Sequence, residues 1–298
     1  MTTINPSSSL AHLKESYQSS PFPSFKVSNY FYTYDKLFSH LIGTECTFIE
    51  VGVLNGGSLF MWRKYLGEKA RIIGIDLNPE ATKWRDHGFE IVIGDQSDAN
   101  FWTETFKKIG PFDVLLDDGG HQYSQQIVTL SCALKHAKEN SVVVIEDICT
   151  SFFKLYASQR QHSFMEYAKG AADLLAVRGS QNIWPRETLH VENQDIMQLF
   201  QQVHSVEFFE GMVAFKINHN ETKDKAELIW NHKPAKNAVD FNHTGTTKAR
   251  VNWTNPFITK QVALIGWQNT FMGRLKRLVK TCLPNSVLDY IRRSLYKR

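Results

Sequence analysis

CTFIEVGVLNGGS, residues 46–58, is the stretch that decides the fold, because it joins a short apolar run directly to a glycine-rich turn. Four more apolar runs follow along the chain, separated by segments with helical periodicity or turn residues. They predict five buried strands, at 46–54, 71–77, 89–95, 112–120 and 141–148. Regular alternation of such strands with helices is typical of a parallel sheet that is covered on both faces.

Both ends of this pattern carry further elements. SVEFFEGMVAFKI, residues 205–217, predicts an antiparallel hairpin that turns at Glu210 and Gly211. Ahead of the sheet, apolar residues recur at three- and four-residue steps over 31–41, which predicts a helix. The predicted fold is therefore α/β: a doubly wound, Rossmann-like, mostly parallel sheet with a terminal antiparallel hairpin, an N-terminal helical segment and a C-terminal basic helical tail.

Composition and periodicity divide the chain into five parts. Residues 1–25 are polar and rich in Ser and Pro, which predicts a flexible leader. Residues 26–45 are the N-terminal helical cover, and residues 46–218 form the sheet domain. Residues 219–259 lose periodicity and predict a linker or extended arm, and residues 260–298 predict a basic amphipathic helical tail.

The overall composition is that of an ordinary globular protein. Of the 298 residues, 42 % are hydrophobic and 21 % charged, which excludes wholesale disorder, collagen and a coiled coil. The four cysteines, at 46, 132, 149 and 282, lie far apart, so a disulfide framework and a structural zinc site are not expected. With neither a signal-peptide run nor a membrane-spanning run in the sequence, we expect a cytoplasmic protein.

Basic residues are concentrated at the C-terminal end of the chain. Residues 273–298 contain eight Lys or Arg and one acidic residue, while the rest of the chain is mildly acidic. A basic amphipathic helix either packs on the body or on a second copy in a homo-oligomer, or lies peripherally on the anionic inner face of a membrane. The acidic body lacks any recognised nucleic-acid motif, so no nucleic-acid partner is expected.

Every predicted strand ends in an acidic residue or a glycine turn. In open α/β sheets, ligands bind beyond the carboxyl ends of the strands. Gly52 would let a ligand approach the backbone closely, Asp76 could accept hydrogen bonds from ribose hydroxyls, and Asp95 and Gln96 could reach a base edge. A tight turn and a helix N-cap are the ordinary alternatives for such residues. Their repetition after three consecutive strands favours an adenosine-type ligand.

These motifs resemble those of the class I S-adenosylmethionine-dependent methyltransferases. The match consists of E-x-G-x-x-x-G-G-S at 50–58, GIDLNP at 74–79 and GDQSD at 94–98. With LLDDGGH at 115–121 and VVIEDI at 143–148, residues 26–217 resemble the metal-dependent sugar O-methyltransferases of macrolide biosynthesis and the related cephalosporin hydroxylase-like group. That family often has Ser where this chain has Gly120, and the segments after residue 150 match less closely.

The resemblance implies S-adenosyl-L-methionine as cofactor and a divalent ion, Mg²⁺ or Mn²⁺. It makes Asp118, Glu146 and Asp147 the metal ligands and His121 the general base. Three carboxylates at neighbouring strand ends, about 5 Å apart, suit such hard cations. The candidate cofactor-binding residues are Glu50, Gly52, Asn55, Gly56, Ser58, Asp76, Asp95, Gln96 and Asp117, although strand alternation points Asp117 away from Asp118 and toward a supporting contact.

The sequence thus favours an O-methyltransferase that acts on a sugar hydroxyl of a small-molecule or glycan acceptor, in polysaccharide or natural-product biosynthesis. Two alternatives stay open. One is a nicotinamide-dependent oxidoreductase on the same sheet, against which the lack of G-x-G-x-x-G argues. The other is a non-catalytic scaffold that binds an adenosine ligand. The tyrosines at 30, 32 and 34 fit core packing, with a roof over the site as the alternative.

Overall fold

The structure is a computed structural model, and it describes residues 6–157, 162–181 and 194–223, together with 227 and 229. Its strands are β1 (Thr47–Val51), β2 (Arg71–Asp76), β3 (Glu90–Ile93), β4 (Val114–Asp117), β5 (Val142–Ile145), β6 (Val203–Phe209) and β7 (Met212–Ile217). They form one seven-stranded sheet in the order β3-β2-β1-β4-β5-β7-β6. Strands β1 to β5 are parallel, and β7 pairs antiparallel with both β5 and β6. The predicted α/β fold with its terminal hairpin is confirmed.

Helices cover both faces of the sheet. They are α1 (Pro6–Gln18), α2 (Tyr30–Phe38), α3 (Gly57–Leu66), α4 (Ala99–Ile109), α5 (Tyr123–Leu134), α6 (Phe164–Gln181), α7 (Gln194–Leu199) and α8 (His219–Thr222). Four 3₁₀ segments, Ser39–Leu41, Pro79–His87, Ile148–Phe152 and Lys154–Tyr156, complete the described secondary structure.

The central strands are apolar throughout because both of their faces are buried. Along β1, Phe48 packs into the core shared with α2 and α3, and the next residue, Ile49, packs into the core shared with α4 and α5. The same alternation places Leu115 and Leu116 of β4 on opposite faces. Burial on both faces leaves only the ends of these strands free for polar chemistry.

The register of the strands aligns three of those ends. Val51 lies opposite both Ile75 and Asp117, and Asp117 lies opposite Ile145. The residues that follow β1, β4 and β5 therefore leave the sheet at one level of its carboxyl edge. At Gly52 the backbone has φ +88°, and a Cβ there would collide with the carbonyl oxygen of Asp118. The turn after β1 thus requires glycine.

The predicted flexible leader is wrong for residues 6–18, which form α1. Leu13 of this helix is fully buried. The Ser9 hydroxyl donates to the Asp35 carboxylate of α2, which also accepts a hydrogen bond from the Tyr65 hydroxyl of α3. Leu10, Leu13 and Tyr17 have helical spacing and give α1 an apolar face. The helix was not predicted because most of the surrounding residues are polar.

Almost all of the predicted linker, and the whole basic tail, lie outside the described residues. The expectations of a membrane-surface contact and a homo-oligomer therefore stay predictions. Among the residues that the structure describes, no helix has both the length and the apolar character that a membrane span requires.

Candidate active site

A buried ammonium group lies at the centre of the carboxyl edge of the sheet. Lys26, from the α1–α2 connection (residues 19–29), places its Nζ 2.6 Å from Asp118 Oδ2, 3.5 Å from Glu146 Oε2 and 3.6 Å from Glu50 Oε1. Its side chain is only 2 % exposed. Burial by itself would lower the pKa of Lys26, but the charges of Glu146, Asp118 and Glu50 outweigh it and raise the pKa. The lysine is therefore a permanent cation.

Glu146 is held by the protein on both of its carboxylate oxygens. One accepts a hydrogen bond of 2.5 Å from the Tyr34 hydroxyl, and the other faces Lys26. Burial raises the pKa of Glu146 well above its ordinary value, although Lys26 opposes this. Glu146 lies near Asp118 across the Lys26 ammonium, but it is not among the three residues whose donor atoms come within 4.8 Å of one another.

Asp118, Asp147 and His121 instead lie close enough to ligate one metal ion together, and we call these three residues the donor group. One donor atom from each of the three residues lies within 4.8 Å of the others. His121 Nε2 is 3.5 Å from Asp147 Oδ2 and 3.9 Å from Asp118 Oδ1, and the Tyr30 hydroxyl donates to Asp147 Oδ1 at 2.6 Å. The backbones of His121 and Asp147 are left-handed, with φ +57° and +52°. Such conformations are uncommon for residues with a side chain and cluster at functional sites.

The chemistry of this donor group fits a divalent cation. It offers two hard carboxylates and one imidazole, a set that Mg²⁺ or Mn²⁺ accepts and that carries net negative charge. In addition, Nδ1 of His121 is buried and has no hydrogen-bond partner among the described residues. The imidazole is thus available to a ligand or to a proton.

One cavity of 670 Å³ connects this donor group to the ends of the first three strands. That volume lies within the range of small-ligand pockets. Of the predicted site residues, its wall contains Gly52, Asn55, Asp76, Asp95, Gln96, Asp118 and His121.

The cofactor candidates on this wall are held in place by the backbone. Asp76 Oδ2 accepts hydrogen bonds from the backbone amides of Val53 and Leu54, at 2.8 and 3.1 Å, and its Oδ1 accepts one from Asn78. These contacts fix the carboxylate against the turn that follows β1. Asp95, at the end of the next strand, is exposed and accepts a hydrogen bond from the amide of Ser97.

Other cofactor candidates are placed behind the wall rather than on it. Glu50 is fully buried and accepts hydrogen bonds from Ser58 and Trp62, and burial raises its pKa. At Gly56 a Cβ would collide with the ring of Trp84, so this position requires glycine. The structure therefore gives these two residues and Ser58 supporting positions beneath the turn, where direct contact with a cofactor was predicted.

Asp117 is likewise directed away from the cavity, as strand alternation indicated. Its carboxylate accepts hydrogen bonds from Gln96 Nε2 at 3.0 and 3.1 Å and from the amide of Gly119. Burial raises the pKa of Asp117 to about 6. Because Gln96 lines the cavity, Asp117 positions a cavity residue and does not itself face the cavity.

Sequence reasoning missed Lys26 entirely and favoured core packing for the tyrosines. Lys26 contacts residues 92 and 120 positions further along the chain, so no local motif could reveal it. The helical stripe does pack in the core, but Tyr30 and Tyr34 also direct their hydroxyls to acidic residues of the site. Only Tyr32, which is 67 % exposed, has neither role.

Residues 49–148 match the family model of a methyltransferase domain. The matched residues make up about a third of the chain and are similar to a methyltransferase domain. The match includes the ends of β1 to β5, and thus the whole cavity edge apart from the contributions of the α1–α2 connection and α2.

Curated relatives of this region are O-methyltransferases by name. Demethylmacrocin O-methyltransferase of Streptomyces fradiae is 28 % identical over 127 residues, which are 40 % of this chain and 32 % of the relative. Mycinamicin VI 2''-O-methyltransferase of Micromonospora griseorubida is 28 % identical over 137 residues, which are 42 % of this chain and 33 % of the relative. The match thus spans about a third of the length of each of these relatives.

Solved structures share the fold of this chain. A crystal form of the MycE methyltransferase from the mycinamycin biosynthetic pathway, in complex with Mg and SAH, aligns with a TM-score of 0.60 at 20 % identity. The alignment covers 76 % of this chain and 57 % of MycE. A complex of MycE with Mg, SAH and mycinamycin VI aligns with a TM-score of 0.59.

Proposed function

We propose that this chain is an O-methyltransferase that uses S-adenosyl-L-methionine and a divalent metal ion to methylate a sugar hydroxyl. The single observation that carries the proposal is the shared cavity. Its wall joins Gly52, Asp76 and Asp95, after three consecutive strands, to the donor group of Asp118 and His121. The methyl donor, S-adenosyl-L-methionine, and an acceptor hydroxyl held by the ion would therefore meet in one cavity.

The cofactor would lie along the ends of β1 to β3. The backbone at Gly52 and Asn55 would approach its amino-acid end, and Asp76 would accept hydrogen bonds from the ribose hydroxyls. Gln96 and Asp95 would flank the base. Asp76 suits this role because three backbone amides hold its carboxylate still and the residue lines the cavity.

His121 would take the proton from the acceptor hydroxyl at Nε2, the ring nitrogen that faces the two aspartates. Asp118 and Asp147 would hold the cation, and Tyr30 would keep Asp147 oriented through its hydrogen bond. When bound, the cation lowers the pKa of a hydroxyl beside it, and the sulfonium cofactor supplies the methyl group. Fixed positions for both reactants would supply much of the acceleration.

The proposed acceptor is a sugar on a small molecule or glycan, because one relative is by name a 2'-O-methyltransferase of a rhamnosyl tetracenomycin. Apolar side chains beside the donor group suit the body of such an acceptor. Phe25 is 77 % exposed on the cavity wall, and the ring of Tyr156 lies 6.2 Å from that of His121. Action in natural-product or polysaccharide biosynthesis, and a cytoplasmic location, are parts of the same proposal.

Cofactor binding is the first test. Calorimetric titration with S-adenosylhomocysteine should give binding to the unaltered chain, and Asp76→Ala should weaken it at least tenfold through loss of the ribose contacts. Glu104→Ala, on the exposed face of α4, is the matched control and should bind normally. Equal affinity in both variants would show that Asp76 does not hold the ribose. Binding of NADH but not of S-adenosylhomocysteine would favour the oxidoreductase.

Turnover is the second test. Transfer of a labelled methyl group from S-adenosylmethionine to a panel of glycosides should stop with EDTA and return with Mg²⁺ or Mn²⁺. His121→Ala should lower kcat at least a hundredfold and leave affinity for S-adenosylhomocysteine unchanged, because the base acts only on the acceptor. Turnover that survives EDTA would contradict the metal role, and full turnover in His121→Ala would contradict the base. Cofactor affinity without metal dependence or turnover would favour the non-catalytic scaffold.

A further inference from the structure

The site contains one cation of its own that the proposed mechanism does not use. Four carboxylates, from Glu50, Asp118, Glu146 and Asp147, lie at the carboxyl edge of the sheet. Lys26 contacts the first three of them within 3.6 Å. One ammonium serves all four carboxyl groups, and the two beside His121, Asp118 and Asp147, can attract a further cation.

Asp118 is the residue that the two cation positions share. Its Oδ2 lies against the Lys26 ammonium at 2.6 Å, and its Oδ1 faces His121 Nε2 at 3.9 Å within the donor group. A divalent ion held by that group would therefore bind the second oxygen of a carboxylate whose first oxygen already carries an ammonium. Two cations on one carboxylate repel each other at short range.

Packing around the α1–α2 connection keeps the ammonium in place. The Ser20 hydroxyl donates to the carbonyl of Gly57 at 2.8 Å, and the ring of Phe22 lies 4.5 Å from that of Trp84 and 5.1 Å from that of Phe60. Lys26 itself is almost completely buried. If its ammonium left the cluster, three buried carboxylates would have no positive charge beside them. The ammonium and a divalent ion must therefore coexist.

We infer that Lys26 is a built-in cation of the acidic edge that weakens the affinity of the donor group for its divalent ion. The inference rests on the proposed function, since it assumes that a divalent ion binds at Asp118 and Asp147, beside His121. Lys26 then confines Glu50 and Glu146 to the ammonium, and it sets the metal affinity through repulsion across Asp118. The metal remains exchangeable.

Calorimetric titration with Mn²⁺ alone, without cofactor or acceptor, tests this role. Lys26→Met and Lys26→Gln should bind Mn²⁺ at least tenfold more tightly than the unaltered chain, because the repelling charge is gone. Lys26→Arg keeps the charge and should stay within threefold. Lys36→Met is the matched control, since Lys36 pairs with Glu207 on the surface and should leave Mn²⁺ affinity unchanged.

Thermal unfolding gives a second readout that does not depend on turnover. Without metal, the neutral variants should unfold at lower temperature than Lys26→Arg, and Mn²⁺ should restore more of their stability than it adds to the unaltered chain.

Equal or weaker Mn²⁺ binding by both neutral variants, with normal binding by the unaltered chain, would overturn the role of Lys26 and leave the proposed function intact. Failure of both variants to fold even with Mn²⁺ present would also overturn it, because the ion could then not replace the lost charge. Absence of Mn²⁺ binding in every protein would contradict the metal-dependent function itself.

Discussion

At the scale of single residues, α2 shows how far a sequence pattern determines a role. Tyr32 and Tyr34 are two positions apart, yet one is 67 % exposed and the other fully buried. Helical geometry places the two positions on different faces of α2, and the core packing predicted for Tyr32 is wrong. Helical geometry cannot show that the buried hydroxyl has an acidic partner, because Glu146 lies 112 positions away in the chain. The burial of Tyr34 could be predicted from its neighbours, whereas its hydrogen bond required the assembled sheet.

His136 gives a prediction about pH. Its ring stacks on Phe106, with centroids 4.7 Å apart, and burial, helped by Lys135, lowers its pKa below the ordinary 6.5. The unfolded chain therefore binds this proton more readily than the folded chain does. The resulting stabilisation is present above pH 6.5 and is lost as the pH falls toward the lower pKa of the folded state.

His136→Gln removes this titration. Urea unfolding of both proteins between pH 7 and pH 5 should show that the unaltered chain loses more free energy of unfolding than the variant. Parallel curves for the two proteins would show that the stacked ring does not shift the proton affinity.

At the scale of elements, the glycine turn after β1 leads to a prediction about backbone geometry. Gly52→Ala should destabilise the fold by about 2–4 kcal/mol and abolish binding of S-adenosylhomocysteine, because the left-handed turn and the Asp118 carbonyl both oppose a Cβ. Gly110→Ala is the matched control. It also has a positive φ, +78°, but open space around the Cβ position, so its cost should be only about 1 kcal/mol.

Urea unfolding and calorimetry measure the two effects separately. If the two alanine variants lose the same stability and both bind S-adenosylhomocysteine, the close approach of β1 and β4 does not constrain the turn.

The same scale shows which elements a sequence determines. The positions of the five parallel strands were predicted correctly, because a strand that is buried on both faces has an almost continuous run of apolar residues. Helical spacing continues over residues 123–140, whereas helix α5 ends at Leu134, before the polar turn that leads to β5. Helix α1 was missed because three apolar residues among serines give a weak signal until α2 and α3 cover them.

At the scale of the whole molecule, α1 is expected to unfold together with the sheet. Leu13→Ala should cost about 2–5 kcal/mol, since it removes a fully buried side chain between helices. Lys14→Ala, on the exposed side of the same helix, should change stability by less than about 0.5 kcal/mol. Circular dichroism and tryptophan fluorescence should report one coincident transition. A separate early transition in Leu13→Ala would show that α1 is an independent appendage.

The molecule as a whole also explains which site residues could be predicted. Asp118 and His121 follow one strand within a single motif, so the sequence places them on the same turn. Glu50 and Ser58 were correctly placed near the edge but lie beneath it, because a motif does not specify which side of a turn a side chain takes. The cation at the centre comes from a different part of the chain, and only the closed sheet brings it there.

The path of the α1–α2 connection has a practical consequence for recombinant work. A fragment cut to the matched residues 49–148 would keep all four acidic side chains of the edge. It would discard Lys26 and the two tyrosine hydroxyls that donate to Asp147 and Glu146. Uncompensated buried negative charge would then destabilise the fold, and the exposed apolar surface would make insolubility the expected outcome of such trimming. Expression should begin upstream of α1, and any affinity tag there needs a spacer long enough to leave that helix undisturbed.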